Sequence, residues 1–260
     1  MTEETCGCCG SLIKEGPVFN QRFADYGWCA YDTISEELVH RANQTFEEEG
    51  MEAAQRVLIE YYKTEAPKQV EHILNASPSF AMREGMIRQC FEDHAEGRYY
   101  ASVPLSLIII DGAVNDYTRK KGFFTAATTV DPWDCLVGCT EGLSKLKFQF
   151  NQNRLKTNTE PIYIPYRNGI LHGRDINYGN EYVSCKCIAL MFAIADWMVR
   201  RSAREELERE ELQKEELREA GPGQGNRAEK GKDGSCGCCC GGTVTAEDVV
   251  KKCNEILASL

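Results

Sequence analysis

The stretch Ile188-Ala-Leu-Met-Phe-Ala-Ile-Ala-Asp-Trp-Met-Val199 is apolar on nearly every side and carries a single acid, Asp196. A helix of that kind belongs in the interior of a bundle. With its flanks it predicts one long helix over residues 181–219. Residues 204–219 hold eight glutamates and four basic residues, a solvated continuation. Leu207, Leu212 and Leu217 are spaced too irregularly there for a coiled-coil seam. The run falls short of the ~20 apolar residues of a bilayer span, as does residues 101–110, so no membrane span is expected.

Upstream, the signals are helical throughout. Thr33-Ile-Ser-Glu36 has the pattern of a capping box and opens a helix to about Glu49, with Ile34, Leu38 and Ala42 in register and Gly50 as its stop. Residues 51–64, striped by Val57, Leu58, Tyr61 and Tyr62, and residues 67–75 read as two more helices. Ser77-Pro78 is a start signal, after which Met82, Met86, Cys90 and Phe91 fall on neighbouring turns. Glu96-Gly97 breaks that run, and residues 99–115 resume it with Val103, Leu107, Ile110 and Val114. Pro104 is the weak point of this helix, and Ile108-Ile109-Ile110 is also compatible with a strand, although length and missing alternation favour a helix. Residues 119–130 read as a loop, 132–150 as a helix, 151–160 as a second loop and 162–165 as a short extended piece. The fold class expected is an all-α helical bundle. Its core is residues 82–96, 99–117, 132–150 and 181–201, without a multi-stranded sheet. The expected divisions are a flexible cysteine-rich terminus (1–16), a helical region (17–76), the bundle with its extended last helix (77–219), a Gly/Cys-rich linker (220–242) and an amphipathic helix (243–260).

The opening Met1-Thr-Glu-Glu-Thr5 lacks the basic start and apolar stretch of a signal peptide. With 14 cysteines in the chain, a reducing, cytoplasmic location is therefore expected. A net charge of −10 argues against indiscriminate nucleic-acid binding, which needs many cations to neutralise phosphates. The charge is uneven, however. Residues 142–201 carry nine basic and four acidic residues, a local excess that can attract an anion.

Polar residues and glycines crowd together in Tyr166-Arg167-Asn168-Gly169-Ile170-Leu171-His172-Gly173-Arg174-Asp175, between two apolar segments. Arg167 offers a permanent planar cation suited to phosphate. His172 offers a group that changes protonation near neutral pH. Asn168 precedes His172 by one helical turn, so its amide is placed to orient the imidazole. Gly169 and Gly173 leave room for close approach. On an ideal helix, Arg167 and His172 lie roughly 140° apart, so one helix cannot aim both at one atom. Either the segment bends at a glycine or a symmetric partner completes the site.

These residues resemble the HEPN superfamily, whose signature is an arginine, a polar residue and a histidine. Arg167, Asn168 and His172 match it, ahead of a buried helix containing Ala195-Asp196-Trp197. The hairpin of residues 91–115, with Glu96-Gly97-Arg98-Tyr99-Tyr100 at its turn and Ile110-Asp111-Gly112 beyond, is similar to the opening helices of such domains. The resemblance covers about residues 80–203. It implies a helical bundle, often dimeric, acting as a metal-independent endoribonuclease in toxin or anti-phage defence, with RNA as substrate and an antitoxin or defence-system partner. It further implies His172 as general acid or base, Arg167 as the residue stabilising charge on the scissile phosphate, Asn168 as the residue positioning the histidine, and Tyr166 and Arg174 as RNA contacts. No cofactor is implied for catalysis. Arg88 and His94 also fit the bare spacing, but mid-helix and without a glycine, as chance would place them.

Cys6, Cys8 and Cys9 mirror Cys236, Cys238, Cys239 and Cys240 in a repeated Cys-Gly-Cys-Cys pattern. Converging, they would suit zinc or another soft metal, although tetrahedral zinc usually comes from wider pairs. The alternative is reactive thiols. Cys135, Cys139, Cys185 and Cys187 read as small core hydrophobes. Three functions stand: an endoribonuclease, a non-catalytic module binding RNA, nucleotide or a partner through the same surface, and a metal-responsive or scaffolding protein acting through its cysteine ends.

Overall fold

Ten α-helices and two short 3-10 turns make up the elements of the computed structural model, which describes residues 7–119, 122–125, 142–219 and 251–252. Among the described residues there is no strand, only one isolated bridge between Asn158 and Asp175, so the chain is all-α. Residues Met1–Val199 form one compact unit and Arg200–Leu260 a second.

In the first unit, α1 (Gly7–Phe23), α2 (Glu36–Glu49) and α3 (Met51–Thr64) pack in succession. Helix α1 runs through residues that the sequence assigned to a flexible terminus. Leu12, Phe19 and Phe23 bury one of its sides, at a spacing that Pro17 and Gly16 obscure. The N-cap of α2 is Ser35, which accepts from the Leu38 amide, and not Thr33. Thr33 is drawn elsewhere. Its amide (2.7 Å) and its hydroxyl (3.0 Å) donate to Asp196 Oδ2, while His72 Nε2 lies 2.7 Å from Oδ1. The one acid of the apolar run is thus a buried clamp on α4 (Val70–Asn75) and on the turn before α2, with its oxygens hydrogen-bonded as a carboxylate taken out of water requires.

Helices α4 (Val70–Asn75) and α5 (Pro78–Ala81) lead into α6 (Glu84–Ala95) and α7 (Tyr99–Thr118), an antiparallel pair turning at Gly97, whose φ is +74°. Ile87, Cys90 and Phe91 bury α6, but Met82 and Met86 stay at the surface, contrary to the expected stripe. Helix α7 buries Val103, Leu107, Ile110 and Val114 as expected, and passes through Pro104 without a break. A proline there leaves the Tyr100 carbonyl without its helical donor. The Tyr178 hydroxyl supplies one, at 3.2 Å.

The second arginine–histidine match has a structural role. His94 is buried, with Nε2 3.0 Å from the Tyr62 carbonyl and Nδ1 2.7 Å from the Ser184 hydroxyl. A carbonyl only accepts, so Nε2 carries the proton and Nδ1 accepts from Ser184. Arg88 is spent at the surface on Glu71 and Glu84.

Of the helix expected over 132–150, α8 (Leu143–Phe150) is present, while residues 132–141, with Cys135 and Cys139, lie outside the described residues. Most of the loop at 119–130, the linker and most of the final helix lie outside them too. The five-residue α9 (Arg167–Leu171) follows, then α10 (Glu181–Glu219), whose residues 183–199 are all buried. Counted with its flanks, α10 is long and apolar enough by composition to cross a bilayer, but 94% of that window is buried inside the fold. Cys185 and Cys187 are buried free thiols, pushed well above the ordinary thiol range by desolvation. In the second unit, Lys252 pairs with Glu206 (3.4 Å) and Glu210 (3.2 Å) of α10.

Candidate functional site

Helix α9 begins where Pro165 ends an extended piece and stops after five residues, when Gly173 turns left-handed at φ +66°. The chain then folds back on itself. The amides of Arg174 (2.7 Å) and Asp175 (3.0 Å) both donate to the Gly169 carbonyl, and the Asn158 amide donates to the Arg174 carbonyl at 2.7 Å. Asp175 is thereby swung inward and fully buried. Its carboxylate accepts from Arg154 Nε at 3.2 Å and Asn158 Nδ2 at 3.1 Å. It also fills the space a side chain at Gly169 would need: a Cβ there would lie 1.7 Å from Asp175 Oδ2. The room that Gly169 leaves is therefore taken by the protein itself.

His172 caps the C-terminus of α9 and its side chain is exposed. It lines a cleft of about 180 Å³ with Asn153, Arg154, Leu155, Asn168 and Arg174. Asn168 and His172 share that face, as their spacing predicts. The amide is occupied elsewhere, however: Nδ2 donates to the Asn151 carbonyl and to Asn153 Oδ1, both at 2.9 Å, and Oδ1 accepts from Arg167. Asn168 ties α9 to the loop after α8 and is not hydrogen-bonded to the imidazole.

Arg167 is not among the residues lining the cleft. Its Nη2 donates to Asp111 of α7 at 2.7 Å, its Nη1 to Asn168 at 2.9 Å, and its guanidinium lies 5.8 Å from the Phe124 ring centre. Arg167 Nε and Asp111 Oδ1 are both buried without a hydrogen-bond partner. Arg167 is thus committed to Asp111 and Asn168, and within one chain it does not line the cleft beside His172. Tyr166, expected as an RNA contact, is half-buried with Arg154 over its ring at 4.0 Å, whereas Arg174 is exposed.

Arg154 and Asn153 were not singled out by the sequence reading, and Asp175, though part of the quoted motif, was given no role. The loop at 151–160 reads as polar filler, and only its pairing with residues 174–177 brings it to the motif. Cys6, Cys236, Cys238, Cys239 and Cys240 lie outside the described residues, and Cys8 and Cys9 fall on the first turn of α1, their side chains outside them as well. No group of three metal-ligating side chains occurs among the described residues. No family model, curated protein or solved structure matches the chain.

Proposed function

We propose that the cleft at His172 is an endoribonuclease site of the HEPN type that works without a metal. The observation behind this reading is an exposed imidazole beside an exposed guanidinium, in a cleft lined by no carboxylate among the described residues. Magnesium sites are built from carboxylates and phosphates, so this donor set suits proton transfer and anion binding better than metal ligation. His172 takes the proton of a ribose 2′-hydroxyl, the 2′-oxygen attacks the adjacent phosphorus, and the bond to the 5′-oxygen breaks. The leaving oxygen takes a proton from water and His172 returns its own to solvent, giving a 2′,3′-cyclic phosphate and a 5′-hydroxyl. Only RNA carries the required nucleophile.

Incubating the full chain with mixed RNA in excess chelator tests this reading. Cleavage with cyclic-phosphate ends is expected, and His172→Ala should lower its rate by ~10²–10⁴-fold while helicity and melting stay near wild type. Chelator-sensitive cleavage with 3′-hydroxyl ends, or undiminished activity in the variant, refutes it. A second reading, a binding module without turnover, is favoured by the Asp111–Arg167 pair, which neutralises the motif's own cation. It expects retained RNA binding and no cleavage.

A further inference from the structure

We propose that Arg174 is the residue that meets the substrate phosphodiester, and that Arg167 is a positioning residue holding α9 to α7. This rests on the cleft being an RNA site, but assigns its cation differently from the motif. An anion is bound by positive charge that the protein has not already neutralised, and the three arginines near His172 differ in that respect.

Arg167 is compensated by Asp111 at 2.7 Å and does not line the cleft. Reaching the cleft would strand Asp111, whose Oδ1 is already buried without a partner. Arg154 lines the cleft but is also compensated. Its Nε meets the buried Asp175 and its guanidinium lies over the Tyr166 ring, so it forms part of the cleft wall. Arg174 is exposed and has no carboxylate partner among the described residues. Its Nη1 donates to the Arg154 carbonyl, which steadies the side chain without cancelling its charge. Its backbone is fixed by the two amides on the Gly169 carbonyl and by the inward anchor of Asp175. A cation held in this way loses little freedom on binding a ligand, which favours affinity.

The size of the cleft limits what it holds. About 180 Å³ is below the ~300–1,000 Å³ of pockets that enclose whole small molecules, so a phosphate group fits and a whole nucleotide does not. Sugar and base would then lie along the exposed rim, where Leu155 is 88% exposed. With Arg174 two residues after His172, one chain carries both cation and proton-transfer group, and no second copy is needed to complete the pair.

The test uses the full chain and RNA carrying 2′-O-methyl groups, which cannot be cleaved, with DNA of the same sequence and inorganic phosphate as further arms. Arg174→Gln should weaken RNA binding about tenfold, the worth of one charge-assisted contact. It should also reduce the slope of log affinity against log salt by about one. Arg174→Lys should recover part of both. Arg167→Gln alone leaves Asp111 unpaired, so Asp111→Asn with Arg167→Gln is the informative variant. It should bind within about twofold of wild type, with an unchanged salt slope. Loss of binding in that double variant, with Arg174→Gln unaffected, overturns the assignment, as does absence of binding by wild type in every arm. DNA or phosphate competing through Arg174 supports a phosphate contact shared by all three. Arg174-dependent binding with no cleavage of unmodified RNA would sink the endoribonuclease reading and leave the anion site standing. Cleavage that Arg174→Gln leaves untouched would do the reverse.

Discussion

Gly169 shows how little separates a folded motif from a broken one. The position is helical and its φ is unremarkable, so glycine is not there for conformational freedom. It is there because the Asp175 carboxylate occupies the volume of a Cβ, 1.7 Å from where that atom would sit, with Arg154 Cγ at 2.9 Å. Asp175 cannot retreat without giving up Arg154 and Asn158 inside the protein. Gly169→Ala is therefore expected to cost about 1–3 kcal/mol, as over-packing does, measurable as a lower urea midpoint. It should also displace Arg174 and weaken RNA binding with His172 intact. An alanine variant as stable as wild type would show that the carboxylate is not held in place.

At the scale of elements, α7 exposes a weakness and its remedy. Pro104 removes one hydrogen bond from a 20-residue helix, and the Tyr178 hydroxyl, from the segment before α10, returns a donor to the Tyr100 carbonyl. The bond is solvent-accessible, so its loss should be modest. Tyr178→Phe is expected to destabilise by about 0.5–1 kcal/mol. In a Pro104→Ala background, where the residue 104 amide serves the same carbonyl, Tyr178→Phe should cost measurably less. Equal costs in both backgrounds would mean that the hydroxyl does not replace the missing amide.

Across the first unit, buried titratable groups shape the dependence of stability on pH. Desolvation lowers the pKa of His94, so its unfolded form takes up a proton first as pH falls below about 6.5. Stability is then present above that pH and is lost on acidification. Burial pushes Lys186 down to about 7, although its ammonium has Gln55 and the Tyr163 carbonyl as acceptors. Between pH 7 and about 8.5 the unfolded chain keeps that proton and the folded chain releases it, so stability rises with pH by at most about 1.4 kcal/mol per unit. Above about 8.5 the sign turns. Cys90, pushed up to about 12, and the still higher Cys185 and Cys187 stay neutral when folded but ionise when unfolded. Urea titrations from pH 5 to 10 should therefore pass through a maximum near 8.5, and Lys186→Met should flatten the rise that precedes it. A flat wild-type profile from 7 to 8.5 would count against a lysine released on folding.

The apolar circumference of residues 188–199 and the caps at Ser77 and Gly50 are local properties, and they were sufficient to specify a helical bundle and the full extent of α10. Periodicity was equally legible in α7, where all four predicted positions are buried. It was less so in α6, where Met82 and Met86 are apolar in type but face outward. The motif was legible as a crowd of polar residues and glycines around Arg167 and His172. What sequence did not contain was which charges meet. Asp111 lies 56 residues before Arg167 and Asp175 21 residues after Arg154, and no local pattern marks either pair. Whether a given arginine is neutralised depends on which carboxylate the fold carries within about 3 Å of it. That separated Arg167 and Arg154 from Arg174, and only the tertiary structure decided it.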